Sequence, residues 1–239
     1  MQTRIFPTPE DVARDAAEAI RACVREERAP LLCLAAGDTP RGAYERLVER
    51  EREDPVGLDR CTFVGLDEWR GLDGADPGSC RRFLNAVLFG PLRVREERIV
   101  FFDARASDPD AECRRVDSWL AAAGPITLSV LGIGMTGHLG MNEPGSPEDG
   151  GSFLAGLDPL TVSVGGKYFD GGPAPTEGYT LGMGQLMASR AVILLATGAR
   201  KAPILRAALE GEVSARVPAS LLRRHPCAFV YADALAAGK

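Results

Sequence analysis

The sequence predicts an α/β fold with a doubly wound, mostly parallel sheet and helices on both faces. Short apolar runs recur along the whole chain, at 31–34, 61–66, 97–102, 126–134, 191–197 and 227–233. Helix-like stretches separate them, and strands alternating with helices build parallel sheets. The runs also lack polar alternation, as expected of strands covered on both faces. A chain of 239 residues, 45% apolar and 26% charged, suffices for a single domain of this kind spanning residues 1–239.

Residues 8–28 read as a helix: Thr8 can cap it, Pro9 suits the first turn, and Val12, Ala16, Ala19, Ile20 and Cys23 form an apolar stripe. Leu31 to Leu34 form a buried strand that stops at Gly37-Asp38-Thr39-Pro40 and passes into the helical RGAYERLVERERE. CTFVGL is a strand ending at Asp67-Glu68, and a glycine-rich loop leads on to the helix-like SCRRFLNAVLFGPL. ERIVFF is the next strand, and residues 108–124 form a helix with Asp108 as cap and Pro109 in its first turn. ITLSVLGIG enters a glycine-rich turn, AVILLAT precedes the helix ARKAPILRAALEG, and CAFVYAD is the last strand. Residues 144–179 break the rhythm, with many Gly and Pro and few long apolar runs. A connection this long, directly after the most chemical-looking motif, is expected to be an active-site lid.

Composition narrows the function classes. A net charge of −5 argues against nucleic acid, which asks for a basic patch. Arg81-Arg82 and Arg223-Arg224 lie in helix-like surroundings and read as solvated faces. No run of about 18 apolar residues exists, and the N-terminus lacks the apolar core of a signal peptide, so the expectation is a cytoplasmic protein without membrane contact. The six cysteines form no CxxC pair and no zinc spacing, so no metal site is expected; Cys33 and Cys61 read as buried small hydrophobes. The chain holds two histidines, His138 and His225, and three lysines, Lys167, Lys201 and Lys239.

Four segments carry candidate chemistry. In LGIGMTGHLGMNEPGS, glycines let the backbone approach a ligand, and Glu143 follows His138 by five residues. A carboxylate near a histidine can set its tautomer and make it an acid/base near neutral pH. In FVGLDEW an apolar strand ends in two acids, placing at least one carboxylate at the sheet rim; a helix cap or solvated turn is the structural alternative. GDTP, a glycine turn leading into a helix, can present N–H groups to an anion. In TGARK, Lys201 lies in the first turn of a helix, where its charge opposes the helix dipole and makes better sense facing an anion.

Together these segments resemble the glucosamine-6-phosphate isomerase/deaminase family, particularly its galactosamine-6-phosphate branch. LAAGDTPRGAY, TFVGLDEWRGL, PGSCRRFL, LGIGMTGHLGMNEPGS, YTLGMGQLMASRAVILLATGARK and VPASLLRRHP fall in the family's order along nearly the whole chain. TLGMG and VPASLLRRHP favour the galactosamine-type branch. The resemblance implies an isomerase/deaminase acting on an amino-hexose 6-phosphate by proton transfers, without metal or organic cofactor. It implies Asp67 as the base between C1 and C2, His138 as the ring-opening acid/base and Glu143 as its partner. It also implies substrate or phosphate contacts from Gly37, Asp38, Thr39, Gly137, Lys201 and, on the lid, Lys167. Two positions depart from the pattern: Thr136 stands where glucosamine-type members carry Asp, and Ala36 replaces a hydroxyl residue of the phosphate loop.

Two other readings compete. A 6-phosphogluconolactonase shares the expected fold, but such enzymes resemble DGHTASLFPG around their histidine, unlike TGHLGMNEPG here. A sugar-phosphate-binding regulator would need a DNA-reading element, and none is visible. The partner expected is a small sugar phosphate, and homo-oligomerisation is left open.

Overall fold

The computed structural model describes residues 1–169 and 172–239. Its large sheet holds seven strands, β1 (Gln2–Phe6), β2 (Leu31–Leu34), β3 (Thr62–Gly65), β5 (Ile99–Val100), β6 (Leu128–Gly132), β9 (Ala191–Ala196) and β10 (Ala228–Asp233). They run in the order β1-β10-β9-β6-β2-β3-β5, and every pairing is parallel. A second, antiparallel sheet of β4 (Asp67–Trp69), β8 (Glu177–Thr180) and β7 (Phe153–Gly156) runs in the order β4-β8-β7.

Strand alternation divides the interior into two cores. Leu32, Leu34, Phe63, Val130 and Ile193 pack with helices α1 (Pro9–Glu26) and α2 (Asp38–Glu53). Leu31, Cys33, Val64, Leu131, Val192 and Leu194 pack with α4 (Pro109–Ala123) and α6 (Ala202–Glu210) on the other face. The helix starts follow their caps: Thr8 Oγ1 accepts from the Asp11 amide at 3.1 Å, and Asp108 Oδ1 accepts from the Ala111 amide at 3.0 Å. Cys33 and Cys61 are fully buried.

Several local expectations are corrected. The strand at 97–102 shrinks to Ile99–Val100, because only Phe63 and Val64 of β3 pair with it. The helix at 79–92 divides into α3 (Cys80–Leu84) and a π-helical turn at Asn85–Phe89, closed by the Gly90 amide on the Asn85 carbonyl. Arg81 is no solvated side chain: 14% exposed, it pairs with Glu96 and lies over the Phe101 ring. Segment 144–179 carries β7, α5 (Pro159–Gly165), a 3-10 turn at Gly166–Tyr168 and most of β8. Asp170 and Gly171, within the expected lid, lie outside the described residues.

Candidate active site

Four neighbouring strands, β9, β6, β2 and β3, end on one side of the large sheet, where ligands of open parallel sheets bind. A cavity of about 240 Å³ opens there. Gly37 reaches it from the turn after β2, Asp38 and Thr39 from the first turn of α2, Asp67 from the start of β4, His138 from the turn after β6 and Lys201 from the turn after β9. Lys167, just beyond α5, joins them from the second sheet's side. Residues more than 160 positions apart in the chain thus line one wall.

His138 rests on a tight loop in which the Gly134 amide donates to the His138 carbonyl at 3.0 Å and the Gly137 amide to the Gly134 carbonyl at 3.1 Å. Thr136 Oγ1 donates to Glu143 Oε2 at 2.8 Å and lies 2.9 Å from His138 Nδ1. With the hydroxyl proton committed to the carboxylate, Nδ1 must carry the hydrogen and donate to Thr136. Nε2 is left for the cavity. Glu143 is buried, and Oε2 also stands 3.3 Å from Nδ1. Burial pushes its carboxyl up, but contacts with His138, Thr161 and Thr136 outweigh that and hold it below its ordinary value. Thr136, Gly137 and Glu143 therefore stand behind the imidazole and not on the cavity wall. Gly137 sits at φ 86°, packed against Val217 and Ile204. The segment VPASLLRRHP braces the same turn from behind: its Ala219 amide donates to the Gly137 carbonyl at 2.9 Å.

The two acids after β3 have opposite fates. Glu68 is 1% exposed and accepts from the Trp69, Cys80 and Arg81 amides and from Ser79 Oγ, all within 2.8–2.9 Å. It is a cap that anchors the start of α3. Asp67 faces the cavity, and its Oδ1 is buried with no hydrogen-bond partner among the described residues. Burial and the neighbouring Glu68 charge push its carboxyl up to about 7, with the Cys80 thiol offsetting part of the rise. The cap alternative thus holds for Glu68, and the rim carboxylate is Asp67.

The other end of the cavity favours an anion. Gly37, at φ 137°, immediately precedes α2 and supplies no side-chain cap to the first-turn N–H groups, the kind of helix start that suits an anion. Lys201 Nζ donates to the Ile133 carbonyl at 2.6 Å. Burial, helped by Lys167 and Arg200, pulls its amine down to about 8. Lys167 pairs with the Asp38 carboxylate and lies 4.8 Å from the Tyr168 ring centroid. His225, the second histidine, is buried between the Ser189 carbonyl and the Cys227 amide, away from the cavity.

Sequence reasoning missed Thr161, whose Oγ1 lies 3.1 Å from His138 Nδ1, and Cys80 beside Asp67. Thr161 carries no local signal, being 23 positions from the histidine in a glycine-rich stretch.

Comparison with known proteins places this arrangement. The profile of the glucosamine-6-phosphate isomerases/6-phosphogluconolactonase family matches residues 8–230. The chain is 34% identical over 230 residues to a glucosamine-6-phosphate deaminase of Bacillus velezensis, covering 96% of this chain and 95% of that one. With the glucosamine-6-phosphate deaminase of a Geobacillus species it shares 36% identity over 225 residues, 94% of this chain and 90% of that one. Among solved structures, a monomeric glucosamine-6-phosphate deaminase superposes with a TM-score of 0.96 at 31% identity, covering 100% of this chain and 99% of the other. The 6-phosphogluconolactonase of Thermotoga maritima superposes with a TM-score of 0.78 at 21% identity over 97% of this chain and 99% of its own, a likeness of fold alone. By profile, by sequence and by architecture, this chain belongs to the glucosamine-6-phosphate isomerase/6-phosphogluconolactonase family.

Proposed function

We propose that the protein is an isomerising deaminase of an amino-hexose 6-phosphate, releasing ammonia and a ketohexose 6-phosphate. The observation that carries this reading is a cavity shared by a buried carboxylate, an imidazole held through its far nitrogen, and an anion site of a lysine pair and a helix N-terminus. The lysines and the Gly37–Thr39 turn take the 6-phosphate. His138 opens the pyranose through Nε2, moving a proton from the C1 hydroxyl to the ring oxygen. Asp67 then removes the C2 proton and returns it to C1. The amine gives up a proton as C2=N forms, and O1 gains one as the aldehyde becomes an alcohol. Water hydrolyses the resulting ketose imine to ammonia and the ketone. Each step is a proton transfer or a hydration, and none calls for a metal or organic cofactor.

Segment 144–179 serves as the lid, because its helical part after β7 delivers Lys167 and Thr161 to the cavity. The Asp67 carboxyl, positioned to exchange protons with carbon, favours this chemistry over lactone hydrolysis. VPASLLRRHP lies behind the His138 turn and not on the cavity wall, so this motif does not choose between the galacto and gluco sugars. A cytoplasmic setting fits a phosphorylated sugar and six free cysteines, and no described helix is long and apolar enough to cross a membrane. Ammonia release from glucosamine- and galactosamine-6-phosphate tests the reading. Turnover of either supports it, whereas hydrolysis of 6-phosphogluconolactone without ammonia release from either sugar overturns it.

A further inference from the structure

Besides Glu143, a side chain from a separate element reaches the imidazole: Thr161, 3.1 Å from Nδ1. It sits on α5, and the 3-10 turn that continues from α5 carries Lys167, which is paired with Asp38 at the start of α2. One short helical segment therefore holds two parts of the cavity wall at once, the anion site through Lys167 and the imidazole through Thr161. The segment is lightly anchored. Of the residues of α5 only Gly165 is buried, packed against the Trp69 indole, and Leu160 is exposed. Such an element opens at low cost.

Resting on the deaminase reading, we propose that Thr161 is a positioning residue that makes the orientation of His138 depend on occupancy of the phosphate site. The Nδ1 hydrogen has three oxygens within reach: Thr136 Oγ1 at 2.9 Å, Thr161 Oγ1 at 3.1 Å and Glu143 Oε2 at 3.3 Å. Thr136 moves with the histidine's own loop, while Thr161 arrives from the second sheet's side. With both in place the imidazole plane is fixed and Nε2 stays over the cavity. With α5 lifted, Thr136 and Glu143 still hold Nδ1, but the contact from the α5 side is lost and the ring is fixed less tightly. A phosphate dianion that engages Lys167 keeps α5 down and Thr161 on the ring. The phosphate thus acts on a step at the far end of the sugar without touching the reacting atoms.

The experiment uses the full enzyme and a substrate cut in two: an unphosphorylated amino sugar with and without phosphite dianion. Phosphite accelerates ammonia release by the wild type. Thr161→Val loses that acceleration, and Thr161→Ser, which restores the hydroxyl, recovers it. On the intact phosphorylated sugar, Thr161→Val lowers kcat by roughly 10- to 100-fold, the scale of a misplaced catalytic group, with KM little changed. A Thr161→Val enzyme that keeps the acceleration or wild-type kcat overturns the coupling, as does a wild type that ignores phosphite. A wild type that releases no ammonia from any amino-hexose 6-phosphate overturns the deaminase reading itself, and the coupling with it.

Discussion

Gly134 lies directly against the imidazole of His138: a Cβ built on it would stand 2.1 Å from Nε2 and 2.2 Å from Cε1. That contact leaves no room for a methyl group, and the obstacle is the ring, since Gly134 is not among the glycines with positive φ. Gly134→Ala should therefore fold normally and displace the imidazole. We expect kcat to fall roughly 100-fold with the thermal midpoint unchanged or slightly raised. Steady-state kinetics beside calorimetry check this, and a variant with wild-type kcat refutes it.

Asp67 should be needed for C2 chemistry and costly for stability. Asp67→Asn should abolish exchange of the C2 proton with solvent, read by NMR in deuterated buffer, while sugar-phosphate binding persists. In the wild type, activity should fall as pH drops through about 7, where the Asp67 carboxyl takes up its proton. Stability runs the other way. The folded value is raised above the ordinary 3.8, so the favourable contribution is complete below that pH and lost as pH rises toward 7 and beyond. At pH 8 the variant should be more stable than the wild type, by an upper bound on the order of 4 kcal/mol, and the gain should shrink toward pH 4.

Lys201→Ala should weaken binding of the phosphorylated sugar by about 1.5–3 kcal/mol, the worth of a hydrogen bond to a charged group, and leave the unphosphorylated sugar unaffected. Because the free amine sits at about 8, binding a dianion at that pH should draw in a proton. Calorimetry at pH 8 in buffers of different ionisation enthalpy should show uptake in the wild type and less in Lys201→Ala. Equal affinity for phosphorylated and unphosphorylated sugars would contradict the phosphate assignment.

Thr136→Asp should restore the charge that glucosamine-type members carry at this position. A carboxylate in place of the hydroxyl that lies 2.9 Å from Nδ1 favours the imidazolium. Ammonia release from the amino-sugar phosphates should increase, as a rate assay on both sugars would show. A flat or opposite response would mean that the Thr136–Glu143 hydroxyl link is the working arrangement of this pocket.

Glu68→Gln should test the cap. The amide nitrogen that replaces one carboxylate oxygen cannot accept, so at least one of four donors loses its partner. Denaturant unfolding should show a loss of roughly 1–3 kcal/mol, and kcat should fall because Cys80, beside Asp67, shifts with α3.

The residues that made the large sheet readable are those buried on both faces. LLCL, TFVG, LSVLG, AVILLA and AFVYAD have strand composition regardless of context. β1 escaped notice because QTRIF is an exposed edge strand of mixed polarity. The second sheet escaped because its strands have three or four residues and lie among glycines and prolines. Asp67, His138 and Lys201 could be picked out because they lie within a few residues after strand ends. Thr161 and the Glu68 cap depend on pairings across the fold that no local spacing records.

The chain passes from the large sheet to the small one across a single residue, Leu66, between Gly65 of β3 and Asp67 of β4. Leu66 is tied to both sides, its amide to the Leu34 carbonyl at 3.2 Å and its carbonyl to the Leu181 amide at 2.9 Å. Asp67 in turn pairs with Thr180, more than a hundred residues away. During refolding the parallel sheet can gather helices and most secondary structure before that distant closure occurs. A species with a native-like circular dichroism spectrum but no competent base should therefore precede the active enzyme, and recovery of C2 exchange should lag recovery of ellipticity.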